Sequence, residues 1–128
     1  MGKIPARVLV VDDNRDLAMT TVHLLQSLGY DAMGYFSGIS VSDCVLHYDP
    51  DIVLLDIGLP GKSGWVVARQ IRERLPGKRP VLIGHSGAYT RDSDKALAEA
   101  AGFDYYVAKG PDTKQLLAVI ERARESLS

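Results

Sequence analysis

Cys44 is the only cysteine in the 128-residue chain, so no internal disulfide can form and a reducing compartment is expected. The thiol itself reads as a packed helix residue, since a buried cysteine behaves as a small apolar group. No apolar run approaches the roughly 18 residues of a membrane span, and the opening Met1, Gly2, Lys3, Ile4 and Pro5 do not form a secretory leader. An excess of one charge is also missing. The formal net charge is −1, which leaves no electrostatic case for direct nucleic-acid binding, although an appended partner domain could still bind it. These absences predict a cytoplasmic protein without membrane insertion. What is present, 46% hydrophobic and 24% charged residues, suits one domain with enough apolar surface to build a core.

The chain is organised around residues 51–64. Ile52, Val53, Leu54 and Leu55 read as a parallel strand buried on both faces, and Asp56 stands where that strand runs out. Gly58, Pro60, Gly61 and Gly64 then predict a tight exposed loop. Apolar residues return at helical spacing in Trp65, Ala68, Ile71 and Leu75, and Pro76-Gly77 is a stop.

The flanking sequence repeats this alternation. Residues 8–11 form a first β-branched run ending in Asp12, Asp13 and Asn14. A helix follows, capped by Asp13 or Asn14, with Leu17, Thr21, Leu24, Leu25 and Leu28 along one face and Gly29 at its end. Residues 32–36, with Gly34, resemble an edge strand. A second helix is expected from about 38 to 47, a fourth strand at 81–84 leading into His85, Ser86, Gly87 and Ala88, and an alanine-rich helix from about 92 to 101. A fifth strand at 103–107 precedes Lys109, Gly110 and Pro111, and the last helix opens with a box of Asp112 and Gln115. Leu116, Leu117, Ile120 and Ala123 of that helix are expected to face inward.

Five strands alternating with five helices imply an α/β fold with a parallel sheet covered on both sides. Spacing alone leaves the strand order open, but right-handed crossovers bring all strand ends to one edge, where ligands of open α/β sheets gather. Asp12, Asp13, Asp56, Ser86 and Lys109 then converge. Unit charges 4 Å apart interact by about 4 kcal/mol at an effective dielectric of 20, so clustered aspartates require a cation. Oxygen ligands alone suit Mg²⁺, and Lys109 would be a second neutraliser. A carboxylate nucleophile beside Mg²⁺ and a lysine is equipment for accepting a phosphoryl group.

The Val-Asp-Asp-Asn end of the first strand, the Leu-Leu-Asp-Ile-Gly-Leu-Pro-Gly-x-x-Gly loop, the Ser-Gly after strand four and the Tyr-x-x-Lys of strand five resemble the receiver domain of two-component response regulators. The resemblance runs from about 7 to 124 and implies a single receiver domain over 1–128. It implies a flavodoxin-like, doubly wound five-stranded parallel sheet of order 2-1-3-4-5 with five helices. By the same resemblance Asp56 accepts a phosphoryl group from a sensor histidine kinase or a histidine phosphotransfer protein. Asp13, Asp56 and the Gly58 backbone carbonyl would hold Mg²⁺, Asp12 mainly through a water. Lys109 would pair with the phosphoryl oxygens, and Gly87 would leave room for the group and offer its N–H. Ser86 would swing onto the phosphoryl group and Tyr106 would turn into the space vacated. The implied readout is the surface of the fourth helix, fifth strand and fifth helix, presented to an output domain or downstream protein. No turnover substrate is expected.

The sequence departs from the receiver pattern in several places. Gly110 separates Lys109 from Pro111, His85 replaces an apolar residue and is expected to be partly exposed or hydrogen-bonded, and Lys62 and Ser63 replace the commoner methionine and aspartate. Taken singly, Asp12 or Asp13 is a helix cap, Ser86 a turn hydroxyl, Tyr106 part of the core or rim of a strand and Lys109 a solvated lysine; Trp65 packs its helix, and His23 and His47 have no ligand spacing. A haloacid-dehalogenase-like phosphatase would want a second carboxylate where this chain has Gly58, and two aspartates after strand one would repel the phosphate of a flavin. A receiver-like interaction module that is never phosphorylated would have no reason to keep all five polar positions. Gly58 and Ala88, at the variable positions flanking the site, carry nothing to shield or direct a water. Introducing Gly58→Asn with Ala88→Glu is therefore expected to change the rate of phosphoryl loss severalfold, and an unchanged rate would refute that reading.

Overall fold

Strands β1 (Arg7–Val11), β2 (Asp31–Tyr35), β3 (Ile52–Asp56), β4 (Val81–Ser86) and β5 (Tyr105–Ala108) build one parallel sheet in the order β2-β1-β3-β4-β5. The computed structural model describes residues 5–37, 39–58, 63–77, 80–87, 100–110 and 113–127. The order is the doubly wound one that the receiver resemblance implies. Helices α1 (Arg15–Ser27), α2 (Val41–Tyr48), α3 (Gly64–Arg74) and a C-terminal helix (Lys114–Glu125) surround the sheet. Of the helix expected at 92–101, only its last residues, 100 and 101, are among those described, and both are helical.

The two faces of the sheet carry separate cores, because alternate residues of each strand point to opposite sides. On one face Val8, Val10, Ile52, Leu54 and Ile83 pack against Ala18, Val22 and Leu25 of α1 and Leu116, Ile120 and Ala123 of the C-terminal helix. On the other, Leu9, Val11, Val53, Leu55 and Leu82 meet Val41 and Val45 of α2 and Val67, Ala68 and Ile71 of α3. Every residue of β3 and β4 is buried. Burying one such aliphatic side chain contributes about 1.5–3 kcal/mol, so the central strands are the least deformable part of the molecule. β2 lies at the edge, as its glycine suggested.

Local boundaries differ from the sequence expectations for identifiable reasons. Of the two cap candidates, Asp13 and Asn14, it is Asn14 that caps α1, its Oδ1 accepting from Leu17 N at 3.1 Å. From that start the buried face runs through Ala18, Thr21, Val22 and Leu25, so Leu17 and Leu28, expected inside, are 36% and 54% exposed. α2 begins at Val41 rather than near 38, since Ser40 stands in the left-handed region at φ 60° and breaks any earlier helix. β4 continues through His85 and Ser86. Thr113 occupies the N-cap of the C-terminal helix without a side-chain bond, which puts Gln115 short of the third helical position a capping box requires. Asp112 lies outside the described residues, as do Gly38, Pro60, Gly61, Lys62, Ala88 and Pro111.

Two tethers set the geometry around the sheet edge. Gly64 N donates to Ile57 O at 2.9 Å, and a Cβ at 64 would lie 2.6 Å from Ile57 Cα and 2.7 Å from Asp56 O. Only glycine lets α3 begin that close to the end of β3. Further along α3, Arg72 Nε donates to Gly102 O at 3.0 Å and its Nη2 meets Asp104 Oδ2 at 2.6 Å, while the same carboxylate oxygen accepts from Leu82 N at 2.8 Å. This ties the approach to β5 onto α3 and β4. Gly64→Ala is expected to lower stability by about 1–3 kcal/mol through overpacking against backbone. A urea midpoint that falls while the slope holds would confirm it, and an unchanged midpoint would show that the approach is not tight.

Candidate functional site

The carboxyl ends of β1, β3 and β5 deliver the polar residues to one place. Asp12 follows β1 directly and is 3% exposed, Asp56 ends β3 at 6%, and Asp13 stands in solvent. One carboxylate oxygen from each of the three lies within 4.8 Å of the others. Lys109, just past β5, places Nζ 2.8 Å from Asp12 Oδ2 and 3.4 Å from Asp56 Oδ1. Three carboxylates and one ammonium leave two negative charges, which a single divalent cation would match. The donor set is all oxygen, so it fits Mg²⁺.

Backbone groups aim the two buried carboxylates. Asn14 N donates to Asp12 Oδ1 at 2.9 Å, and Gly58 N to Asp56 Oδ1 at 3.1 Å. In each case the side chain reaches the N–H two residues on, the Asx geometry that aspartate favours in turns. At the neighbouring strand ends, Lys109 N donates to Ser86 O at 2.6 Å. Ser86 is buried beside it. A Cβ at Gly87 would meet Lys109 Cδ at 3.9 Å, so the lysine stem passes over that glycine on its way to the aspartates.

Burial pushes the Asp56 carboxyl above the usual carboxylate range; the Gly58 N–H opposes this, the Asp12 charge adds to it and Lys109 counters it. Burial alone would lower the Lys109 ammonium, but its hydrogen bond to Asp12 and the charges of Asp12 and Asp56 hold it above its ordinary value. Two buried carboxylates, a lysine paired with both and a third acid in solvent form a site whose charge favours a cation and whose Asp56 carboxyl lies in a partly dry surrounding.

The structure thus brings Asp12, Asp13, Asp56, Lys109, Ser86, Gly58 and Gly87 to one edge, as the sequence led us to expect. His85 is the exception. Of the two expectations for it, partial exposure does not hold: it is 8% exposed, because β4 runs on through it into the sheet interior. Burial, with the Lys109 charge nearby, pushes it down to about 4, so it is a neutral packed residue. Tyr106 is half-buried, and its ring stacks on that of Trp65, with centroids 6.2 Å apart and planes 8° from parallel. Nothing in the spacing of residues 65 and 106 announces that stack. A glycine inside a strand, Gly84, was its one visible trace, since such a glycine often marks close approach of another group.

Known proteins share this architecture. The response regulator receiver domain model matches residues 8–121. The Vibrio cholerae chemotaxis protein CheY4 superposes with a TM-score of 0.85 at 22% identity, covering 94% of this chain and 99% of its own, a likeness of fold. The Thermotoga maritima response regulator TrrA, solved in complex with Mg²⁺ and BeF, gives 0.81 at 29% identity over 92% of this chain and 98% of its own. DrrB from the same organism, an OmpR/PhoB homolog, gives 0.79 at 27% identity, with 98% of this chain matched but only 55% of DrrB. Since the family match spans far more than half of its length, the chain belongs to the response regulator receiver domains of two-component signalling.

Proposed function

We propose that this receiver takes a phosphoryl group on Asp56 from a phosphohistidine of a sensor kinase or phosphotransfer protein. An Asp56 carboxylate oxygen forms the new bond to phosphorus as the phosphorus–nitrogen bond of the donor breaks, and the imidazole leaves with that electron pair and takes up a proton. Asp13, Asp56 and the Gly58 carbonyl would hold Mg²⁺, with Asp12 beside them through a water. When bound, the ion supplies charge neutralisation for the phosphoryl oxygens. The observation that carries this reading is the position of Lys109 Nζ, 2.8 Å and 3.4 Å from two buried carboxylates that share a 4.8 Å cluster with Asp13. Such a set of charges has no structural purpose that an uncharged core would not serve better.

The other residues divide the remaining work. Lys109 turns from the aspartates to the incoming oxygens, and Gly87 presents its N–H without a side chain in the way. Ser86 donates its hydroxyl to the phosphoryl group. A hydrogen bond to a charged group is worth roughly 1.5–3 kcal/mol, whereas moving an equilibrium from 1:99 to 99:1 takes about 5.5 kcal/mol. Ser86 therefore does not switch the domain unaided; Lys109, the metal and the packing of Tyr106 share the change, which an output domain or downstream protein reads.

Incubation with acetyl phosphate and Mg²⁺ is expected to add the mass of one phosphoryl group to wild type and nothing to Asp56→Asn; equal labelling of the two would refute the assignment. The raised Asp56 carboxyl makes a second, metal-free test. Its folded-state value lies above the unfolded one, so the stability it contributes is complete below the ordinary carboxylate range and is lost as pH rises through the raised value. Asp56→Asn is therefore expected to melt higher than wild type at neutral pH, with the gap closing as the solution is acidified. Added Mg²⁺ should raise the melting point of wild type more than that of the variant. A variant that melts lower at neutral pH would contradict the charge balance described above.

A further inference from the structure

Tyr106 is the residue that the receiver resemblance has turning inward once Ser86 has moved, yet its surroundings point to another order of events. The β4 residue paired with it is Gly84. A Cβ at 84 would lie 3.1 Å from Tyr106 Cδ2, 3.2 Å from Ile57 Cδ1 and 3.4 Å from Phe103 Cδ1. The tyrosine ring thus leans across the sheet onto the backbone of β4, into room that any larger residue at 84 would occupy. Trp65 closes the other side. Its ring is stacked on Tyr106 and meets Phe103 edge-on at 5.8 Å and 83°, an arrangement aromatic quadrupoles favour.

Trp65 is itself held fast. It is the second residue of α3, its backbone N–H donates to Ser63 Oγ at 3.2 Å, and Gly64 before it presses on the backbone of Asp56 and Ile57. Phe103, the third wall, is buried next to the segment that Arg72 and Asp104 tie down. The first turn of α3, pressed on the backbone of Asp56 and Ile57, therefore carries the plane on which Tyr106 rests.

We propose that Gly84 and Trp65 form a seat that holds the Tyr106 ring over the sheet before any phosphoryl group arrives, with Trp65 as a positioning residue for the switch. The inference rests on the receiver reading of Tyr106. It reverses the expected dependence: the space for the ring is built into β4 and α3, and Ser86 does not have to vacate it. A binding-competent conformation that is already populated imposes less of a tax on the affinity of an activating ligand.

The test uses ring-¹³C tyrosine NMR on the whole chain, with Tyr106→Phe to identify the signal, and beryllofluoride titrated in the presence of Mg²⁺. In ligand-free wild type the Tyr106 ring signals are expected to be displaced upfield by the Trp65 ring current. Trp65→Leu should abolish the displacement and weaken beryllofluoride binding by about threefold to tenfold, while Trp65→Phe, which can still stack, should keep most of the affinity. Gly84→Ala leaves the tryptophan in place and should also move the Tyr106 signals and weaken binding, which keeps the test open if Trp65→Leu fails to fold. Undisplaced Tyr106 signals in wild type, or unchanged affinity in Trp65→Leu or Gly84→Ala, overturn the seat. If beryllofluoride binds neither wild type nor variants, the phosphoacceptor reading of Asp56 fails, and the ring signals alone still decide whether the seat exists.

Discussion

Asp12, Asp13 and Asp56 hold carboxylate oxygens within 4.8 Å of one another, a concentration of like charge that a folded chain tolerates only where something rigid enforces it. At such separations each pair of charges repels by about 4 kcal/mol at an effective dielectric of 20. The enforcement comes from β1 and β3, neighbours in the sheet and buried on both faces. Lys109 offsets part of the repulsion from the end of β5. The remaining negative charge gives the site its appetite for a cation, so the instability at this edge and the chemistry proposed for it have one origin.

The same rigidity explains why so much was legible in the sequence. Runs such as residues 8–11 and 52–55 declare buried parallel strands by composition alone, and the polar residue that ends each strand but β2 needs only the right-handed crossover to reach the common edge. Asp12, Asp13, Asp56, Ser86 and Lys109 could be grouped on that basis before any coordinates. Less legible were features that depend on the phase of a helix or on contact between residues far apart in the chain. The buried stripe of α1 passes through Ala18 and Val22 although Leu17 and Leu28 are the larger apolar residues, because the Asn14 cap fixes where the helix starts. His85, a polar residue expected to be partly exposed or hydrogen-bonded, is carried inside by the sheet, where burial favours its neutral form. The Trp65–Tyr106 stack joins two residues that no local pattern relates.

Gly64 and Gly84 show how the absence of a side chain can specify structure. One allows α3 to start against the backbone that carries Asp56; the other opens a place on β4 for an aromatic from β5. Between them they connect the acidic edge to β5 through close-packed contacts. Packed elements shift as units, so a displacement of the end of β3 or the start of α3 would be passed across these contacts.

The two Asx turns that orient Asp12 and Asp56 have a consequence for how this edge can diverge among related chains. Each carboxylate takes its direction from a main-chain amide, that of residue 14 or 58, and an amide is the same whichever amino acid supplies it, proline excepted. Position 58 can therefore exchange its side chain while Asp56, two residues before it, keeps its bearing. Position 14 is less at liberty, because Asn14 also caps α1. Of the two positions, 58 is where a change of side chain costs the scaffold least.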